Sequence, residues 1–373
     1  MDSETKESQK LLFTPGPLTT SRTVKEAMLR DLGSRDATFI ATVRGIRESL
    51  LEIAGVAGKG YEAILMQGSG TFGIEAVIGS VTPPNGAWLI IINGAYGRRM
   101  AQIATVLGIA YIPLTFPEHR TPDLGVVARA LDEHPDITHV AVVHCETTTG
   151  ILNPVSDIGR LAWKYKKVYF VDAMSSFGAV PLDMEESAIH YLVSSANKCI
   201  EGVPGFSLVV ARRDDLLRTK GWARSLSLDL LAQWRGLEEN GQFRFTPPTH
   251  ALLAFAQALD ELHAEGGVHA RSLRYRSNHD ALVTGMRALG FQEYLDESLQ
   301  GYVITSFRYP TDPKFDFDVF YTLLNQRGFV IYPGKVSDAD CFRIGNIGHI
   351  TVVDVEALLG AIAAVVHEMG VSL

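Results

Sequence analysis

Short apolar runs without polar alternation recur along the first two thirds of the chain: Ala63–Gln67, Trp88–Ile92, Ala110–Leu114, His139–Val143, Val168–Val171, Tyr191–Val193 and Ser207–Ala211. Such runs suit strands buried on both faces of a parallel sheet. Between them lie segments with a helical period, as in Thr38–Ala54, where Phe39, Val43, Ile46, Leu50 and Ile53 share a face. Ser21 is placed to cap a helix reaching about Leu32, and Leu124–Asp132 and Val155–Lys166 read as further helices. Seven strands with intervening helices predict a doubly wound, mainly parallel α/β sheet, with Ser207–Ala211 as the antiparallel strand that closes it.

The pattern changes after about Pro248. Long amphipathic segments at Thr249–Ala264 and Val268–Leu289 precede a strand, helix and strand at Tyr302–Phe307, Phe315–Arg327 and Phe329–Tyr332. A short run at Cys341–Ile344 and a terminal helix follow. Two domains are expected: a large one over 19–265 and a smaller α/β one over 266–373. Residues 1–18, ending in the rigid Thr14-Pro15-Gly16-Pro17 turn, are expected to pack against the smaller one.

Composition narrows the class. With 373 residues, 46% of them hydrophobic and 20% charged, the chain can bury a large core and does not resemble a disordered protein. A net charge of −8 argues against a nucleic-acid groove or a membrane-surface helix, so an anionic substrate must be caught by local arginines. Cys145, Cys199 and Cys341 form no CxxC pair, which fits free thiols in a reducing compartment. Met1–Lys10 lacks the apolar region of a secretion signal and no run is long enough to span a bilayer, so a cytoplasmic location is expected. The eleven histidines show no metal-ligand spacing, and no metal site is expected.

The chemistry concentrates between Lys167 and Gly205. The strand Val168–Val171 ends in an acid, Asp172, and the next one leads through small residues to Lys198, with no other charge before Glu201. Parallel sheets gather their sites at the carboxyl ends of strands, so this acid and this amine can converge on one pocket. A carboxylate and a lysine held apart by a planar ring are what pyridoxal phosphate requires: the amine holds the cofactor covalently and the acid pairs with the ring nitrogen. An acid capping a turn and a surface lysine are the plainer alternative. Surface lysines, however, usually sit among other charges.

Gly68-x-Gly70-x-x-Gly73 follows a strand and opens a helix, which matches a dinucleotide fingerprint and raises an oxidoreductase as the rival. The acid that should end the second strand is replaced by Asn93-Gly94. What remains is a glycine-lined helix start whose amides, with the hydroxyls of Ser69 and Thr71, suit one phosphate. Tyr96 follows the second strand, where a ring could stack on it. Thr148 is placed to hydrogen-bond a ring oxygen, and His144 ends a strand as a base, a ring partner or a structural histidine. Arg343 lies between apolar neighbours with the fixed fork that recognises a carboxylate or phosphonate. A non-catalytic phosphate-ligand module stays open; only the Asp172–Lys198 pair speaks against it.

Taken together, Thr14-Pro-Gly-Pro17, Ser69-Gly70-Thr71, Asn93-Gly-Ala-Tyr96-Gly, Glu146-Thr-Thr-Thr-Gly150, Asp172-Ala-Met-Ser-Ser-Phe-Gly178 and Ser195-Ala-Asn-Lys198-Cys-Ile-Glu-Gly-Val-Pro-Gly205 resemble the class V aminotransferases of fold type I. The resemblance implies that Lys198 and Asp172 are catalytic. It implies that Ser69, Gly70, Thr71, Tyr96, Thr148, Asp172, Met174, Asn197 and Lys198 bind pyridoxal 5'-phosphate. Thr246 would reach the phosphate of the neighbouring subunit of a homodimer with sites at the interface, and Arg343 would grip the substrate anion. Tyr96 departs from the Trp or His that many relatives place there. The implied activity moves the amino group of 2-aminoethylphosphonate to pyruvate; alanine– or serine–glyoxylate transamination is the alternative. A cysteine desulfurase would need a mobile nucleophilic thiol, for which Cys199 and Cys341 are poorly placed.

Overall fold

The structure, a computed structural model, describes residues 9–373; the first eight, whose packing was part of the expectation above, lie outside the described residues. Its centre is a seven-stranded sheet. The strands run in the order Tyr61–Gln67, Phe206–Arg212, Tyr191–Ser195, Val168–Asp172, His139–Val143, Ala87–Ile92 and Ala110–Thr115. Phe206–Arg212 is antiparallel to both neighbours, and the other strands share one direction. Six carboxyl ends therefore lie along one edge of the sheet.

The central strands are apolar throughout because helices cover both faces: Val140, Ala141, Val142, Tyr169, Phe170, Val171, Leu192 and Val193 are fully buried. Ala110–Thr115 differs. It is the edge strand, its residues are exposed or half-buried, and it carries Pro113, which an edge tolerates. Residues 304–345 form a second, three-stranded antiparallel sheet of Ile304–Arg308, Cys341–Gly345 and Tyr332–Pro333, with its own apolar cluster around Phe307, Phe320 and Phe342.

Two local expectations are corrected. The helix after Ser21 is shorter than its pattern: it runs Arg22–Glu26, capped by Val24 N–H donating to Ser21 Oγ at 3.1 Å, then tightens to a 3₁₀ turn at Ala27–Leu29. Leu29 is 86% exposed, so no core contact extends the helix. The run Phe329–Tyr332 is divided between two sheets. Phe329–Val330 pairs in parallel with Leu11–Leu12, whereas Tyr332–Pro333 pairs with Cys341–Gly345. The helices Arg213–Arg218 and Leu230–Asn240 were not anticipated.

A charged network fastens the turn after Lys198 to the long helix Gly267–Leu289. Glu201, only 2% exposed, accepts from Tyr275 Oη at 2.6 Å and Arg274 Nη2 at 2.7 Å, and Arg271 Nη1 lies 3.5 Å away. Arg271 also donates to the Cys199 carbonyl and to Glu265, both at 2.6 Å. Truncating one member of such a set leaves buried charge uncompensated. Glu201→Ala is expected to cost about 3–5 kcal/mol, read as a lowered urea midpoint of the apoprotein. A midpoint unchanged from the parent would mean that the network contributes nothing.

Candidate active site

The structure brings most of the expected site residues to one edge of the sheet, because each follows the carboxyl end of a strand. Asp172 closes Val168–Asp172 and is 1% exposed. Its Oδ1 accepts from the Met174 N–H at 2.9 Å, and Oδ2 makes no hydrogen bond among the described residues. Burial, only partly opposed by that N–H, raises its pKa to about 7. An acid in this state awaits a cationic partner.

Lys198 follows Tyr191–Ser195. Its amine donates to the Pro15 carbonyl and has no other hydrogen-bond partner among the described residues. Burial lowers its pKa, with Tyr96, Cys199 and Asp172 pulling the other way. The Thr14–Pro17 turn closes over this lysine: a Cβ at Gly16, where φ is +106°, would fall 2.8 Å from Lys198 Nζ. Only glycine allows that approach.

Opposite the pair, Ser69 precedes the helix Gly70–Val81. The Ser69 hydroxyl makes no capping bond, and the amides of Gly70 and Thr71 find no acceptor among the described residues. A Cβ on Gly70 would come within 2.2 Å of Met174 Cε, so the glycine lets Met174 pack against the helix start. Arg99 adds a cation, with Nη1 3.3 Å from Thr71 Oγ1 and the guanidinium carbon 4.9 Å from the Tyr96 ring centre. Asn197 accepts from Ser195 Oγ at 3.1 Å through Oδ1, leaving its amide nitrogen free.

Glu146 braces the loops between them. Fully buried, it accepts from the amides of Tyr96 and Gly97 and of Thr148, each at 3.2 Å, and from Thr148 Oγ1 at 2.6 Å. A carboxylate at the start of the helix Ala95–Val106 also complements the helix dipole. Thr148 Oγ1 in turn accepts from the Ala95 N–H at 2.8 Å; with its proton committed to Glu146, one lone pair remains to accept from a ring hydroxyl.

Arg343 enters from the second sheet, 2% exposed. Its Nε donates to the Pro333 carbonyl at 2.9 Å and its Nη1 to the Thr147 carbonyl at 2.8 Å, which fixes the fork beside Tyr96. Burial would raise the Tyr96 phenol, but a hydrogen bond with Thr147 and the charges of Lys335, Lys198 and Arg343 draw it below its ordinary value.

Thr246 is not among these groups within one chain. It lies exposed on the surface beside exposed Phe245; among the described residues its hydroxyl has no hydrogen bond, and the Phe245 and Thr246 carbonyls accept from Gln67 Nε2. His144 is buried, burial lowers its pKa to about 4, and its Nδ1 has no partner among the described residues. Burial pushes the Cys199 thiol up to about 12 and Cys341 to about 11, so neither is a ready nucleophile.

Sequence reasoning passed over Glu146 and Arg99. Glu146 carried a signal, being the one charged residue between Asp136 and Asp157. Arg99 carried none, since an arginine early in a helix has many surface uses.

A buried acid with an open oxygen, an amine with one carbonyl partner, and an uncommitted helix start beside an arginine complement a pyridine nitrogen, an aldehyde and a phosphate. These residues fit pyridoxal phosphate. The comparisons agree with that chemistry. The chain is 54% identical over 361 residues to the 2-aminoethylphosphonate–pyruvate transaminase of Salmonella heidelberg, covering 96% of this chain and 98% of that protein. It is 56% identical over 354 residues to the enzyme of the same name from Klebsiella pneumoniae, covering 94% and 96%. Among solved structures it superposes on ureidoglycine–glyoxylate aminotransferase from Bacillus subtilis with a TM-score of 0.89 at 23% identity, over 99% of this chain and 96% of that one. Pyridoxamine–pyruvate aminotransferase from Mesorhizobium loti gives 0.88 at 23% identity, over 99% and 95%. The sequence profile described as Aminotransferase class-V matches residues 20–343, which takes in every site element from Ser69 to Arg343, and the chain belongs to that family.

Proposed function

We propose that this aminotransferase moves the amino group of 2-aminoethylphosphonate to pyruvate, giving phosphonoacetaldehyde and L-alanine. The observation that carries the reading is a buried arginine, Arg343, whose fork is fixed by two backbone carbonyls beside Tyr96, the ring whose phenol also feels the Lys198 charge. The identity of 54–56% to proteins bearing that activity in their name supports it.

Pyridoxal phosphate, when bound, supplies the electron sink for loss of a proton from the donor carbon. Ser69, Gly70, Thr71, Asn197 and Arg99 would hold its phosphate, Asp172 its ring nitrogen, and Tyr96 and Thr148 its ring, with Met174 packed alongside. The donor has no α-carboxylate, so its phosphonate is the handle, and Arg343 grips first that anion and then the carboxylate of pyruvate. Lys198 moves the proton. Its lowered pKa makes more of it a free amine at neutral pH than an exposed lysine would be.

The same reading has a large unit over 19–265, a small unit over 266–373, and a homodimer in the cytoplasm. Phe72, beside the phosphate cradle, and Phe245, beside Thr246, are 51% and 45% exposed. Pairing of two chains across these surfaces would cover both rings and set Thr246 of the partner subunit at the cradle.

To test the donor, the holoenzyme is offered 2-aminoethylphosphonate, alanine or serine with pyruvate or glyoxylate. Alanine formed from 2-aminoethylphosphonate and pyruvate, at a kcat/KM at least about tenfold above the other pairs, is expected. A preference for serine or alanine with glyoxylate would overturn the assignment.

A further inference from the structure

The loop between Tyr332–Pro333 and Cys341–Gly345 crosses from the second sheet to the edge of the seven-stranded one. Gly334 N–H closes its base on the Cys341 carbonyl at 2.9 Å. Ser337 N–H then reaches Glu118 Oε2 at 2.8 Å, and Arg98 holds Glu118 Oε1 at 2.6 Å. Tyr294 Oη donates to Asp338 Oδ1 at 2.6 Å from the other side. These contacts fasten both flanks of the loop and set Lys335 over the Tyr96 ring. Lys335 Nζ lies 3.5 Å from Tyr96 Oη and 5.1 Å from the ring centre.

Lys335 is exposed, yet no carboxylate comes within ion-pair distance of it among the described residues; its charge faces Tyr96 and, through it, Arg343. Arg343 has already committed Nε and Nη1 to backbone carbonyls, so only part of its fork is free for a ligand. A carboxylate carries one negative charge. A phosphonate, like a phosphate monoester, carries between one and two at neutral pH, with three acceptor oxygens. One partly committed guanidinium matches the first anion and falls short of the second.

We propose that Lys335 is the second cation of the substrate-anion subsite, required for the phosphonate donor and dispensable for the carboxylate acceptor. This rests on the donor assignment made above. The Tyr96 hydroxyl between the two cations completes the subsite, donating to an oxygen that neither of them reaches.

The test separates binding from turnover. Ethylphosphonate and propionate, which have the two anions but no reactive amine or ketone, are titrated into holoenzyme by calorimetry. Lys335→Met, which keeps the aliphatic stem over the Tyr96 ring, is expected to weaken ethylphosphonate about tenfold or more and leave propionate within about threefold. Lys335→Arg is expected to retain most of the ethylphosphonate affinity. In single turnovers, Lys335→Met should slow the 2-aminoethylphosphonate half-reaction at low donor concentration and spare the pyruvate half-reaction. Equal weakening of both ligands, or of neither, would overturn the proposal. A parent enzyme that binds ethylphosphonate through Lys335 but does not turn over 2-aminoethylphosphonate would instead overturn only the donor assignment.

Discussion

Lys198→Ala is expected to lower transamination by at least about 10,000-fold, since both proton transfer and covalent attachment pass through one amine. The fold should not suffer. Among the described residues Lys198 Nζ has one hydrogen-bond partner, the Pro15 carbonyl, and relief of the buried amine offsets the acceptor left unpaired, for a net change on the order of 1 kcal/mol. Loss of activity with an unchanged urea transition therefore isolates the chemistry. Small primary amines such as methylamine should restore part of the rate in proportion to their concentration, because the deleted group leaves a pocket bounded by Gly16 and Tyr96. Lys198→Arg should not recover, since a guanidinium does not give up its proton in the working pH range. A Lys198→Ala enzyme that exchanged nitrogen at the parent's rate would remove this residue from the mechanism.

What the sequence made legible was the part of the site that runs locally along the chain. Asp172 ends an apolar run, Lys198 follows another, and Gly68–Gly73 opens a helix; each is a strand-end signal that the parallel topology converts into proximity. Six of the seven strands were legible because burial on both faces leaves a continuous apolar run, whereas Ala110–Thr115 stood out by its apolar residues despite an exposed edge position. What escaped depends on register between distant segments. Lys335 and Tyr96 are 239 residues apart, and nothing in either neighbourhood announces the other. The Glu146 brace needs four donors, two from Thr148 in its own loop and two from the start of the helix Ala95–Val106, which meets that loop only once the sheet is assembled. The short helix after Ser21 was misjudged because apolar spacing shows where a helix can lie, whereas Leu29 has no core to lie against. Leu230–Asn240 was missed although Leu230, Leu231 and Leu237 are buried, because polar residues break up its apolar face.

Asp172→Asn is expected to move activity and stability in opposite directions. On activity the loss should be on the order of 1,000-fold, since a neutral amide no longer stabilises a protonated ring nitrogen where negative charge must be absorbed. On stability the sign reverses. In the folded apoprotein the acid has a pKa of about 7, against an ordinary 3.8, because burial disfavours its ionised form. A raised carboxyl contributes its stability fully below the unfolded pKa and loses it as the pH climbs through the folded one. Below about pH 3 both states carry the proton and the gap between parent and variant is constant. Between about pH 4 and 7 the unfolded chain ionises while the folded one does not, and the parent apoprotein weakens relative to the variant. Above pH 7 the gap levels off, having moved by about 4 kcal/mol in favour of Asp172→Asn. Asparagine keeps an oxygen for the Met174 N–H, and its amide nitrogen, placed where Oδ2 has no partner among the described residues, adds the same cost at every pH, so the change of the gap with pH carries the test. Urea transitions of the two apoproteins at pH 5 and pH 8, at equal protein concentration, read this directly. Adding pyridoxal phosphate at pH 8 should then stabilise the parent more than the variant, because only the parent places a carboxylate against the ring nitrogen. A gap between the two apoproteins that stays the same from pH 5 to pH 8 would mean that the acid is not held against its charge, and its pairing with a ring cation would lose its physical basis.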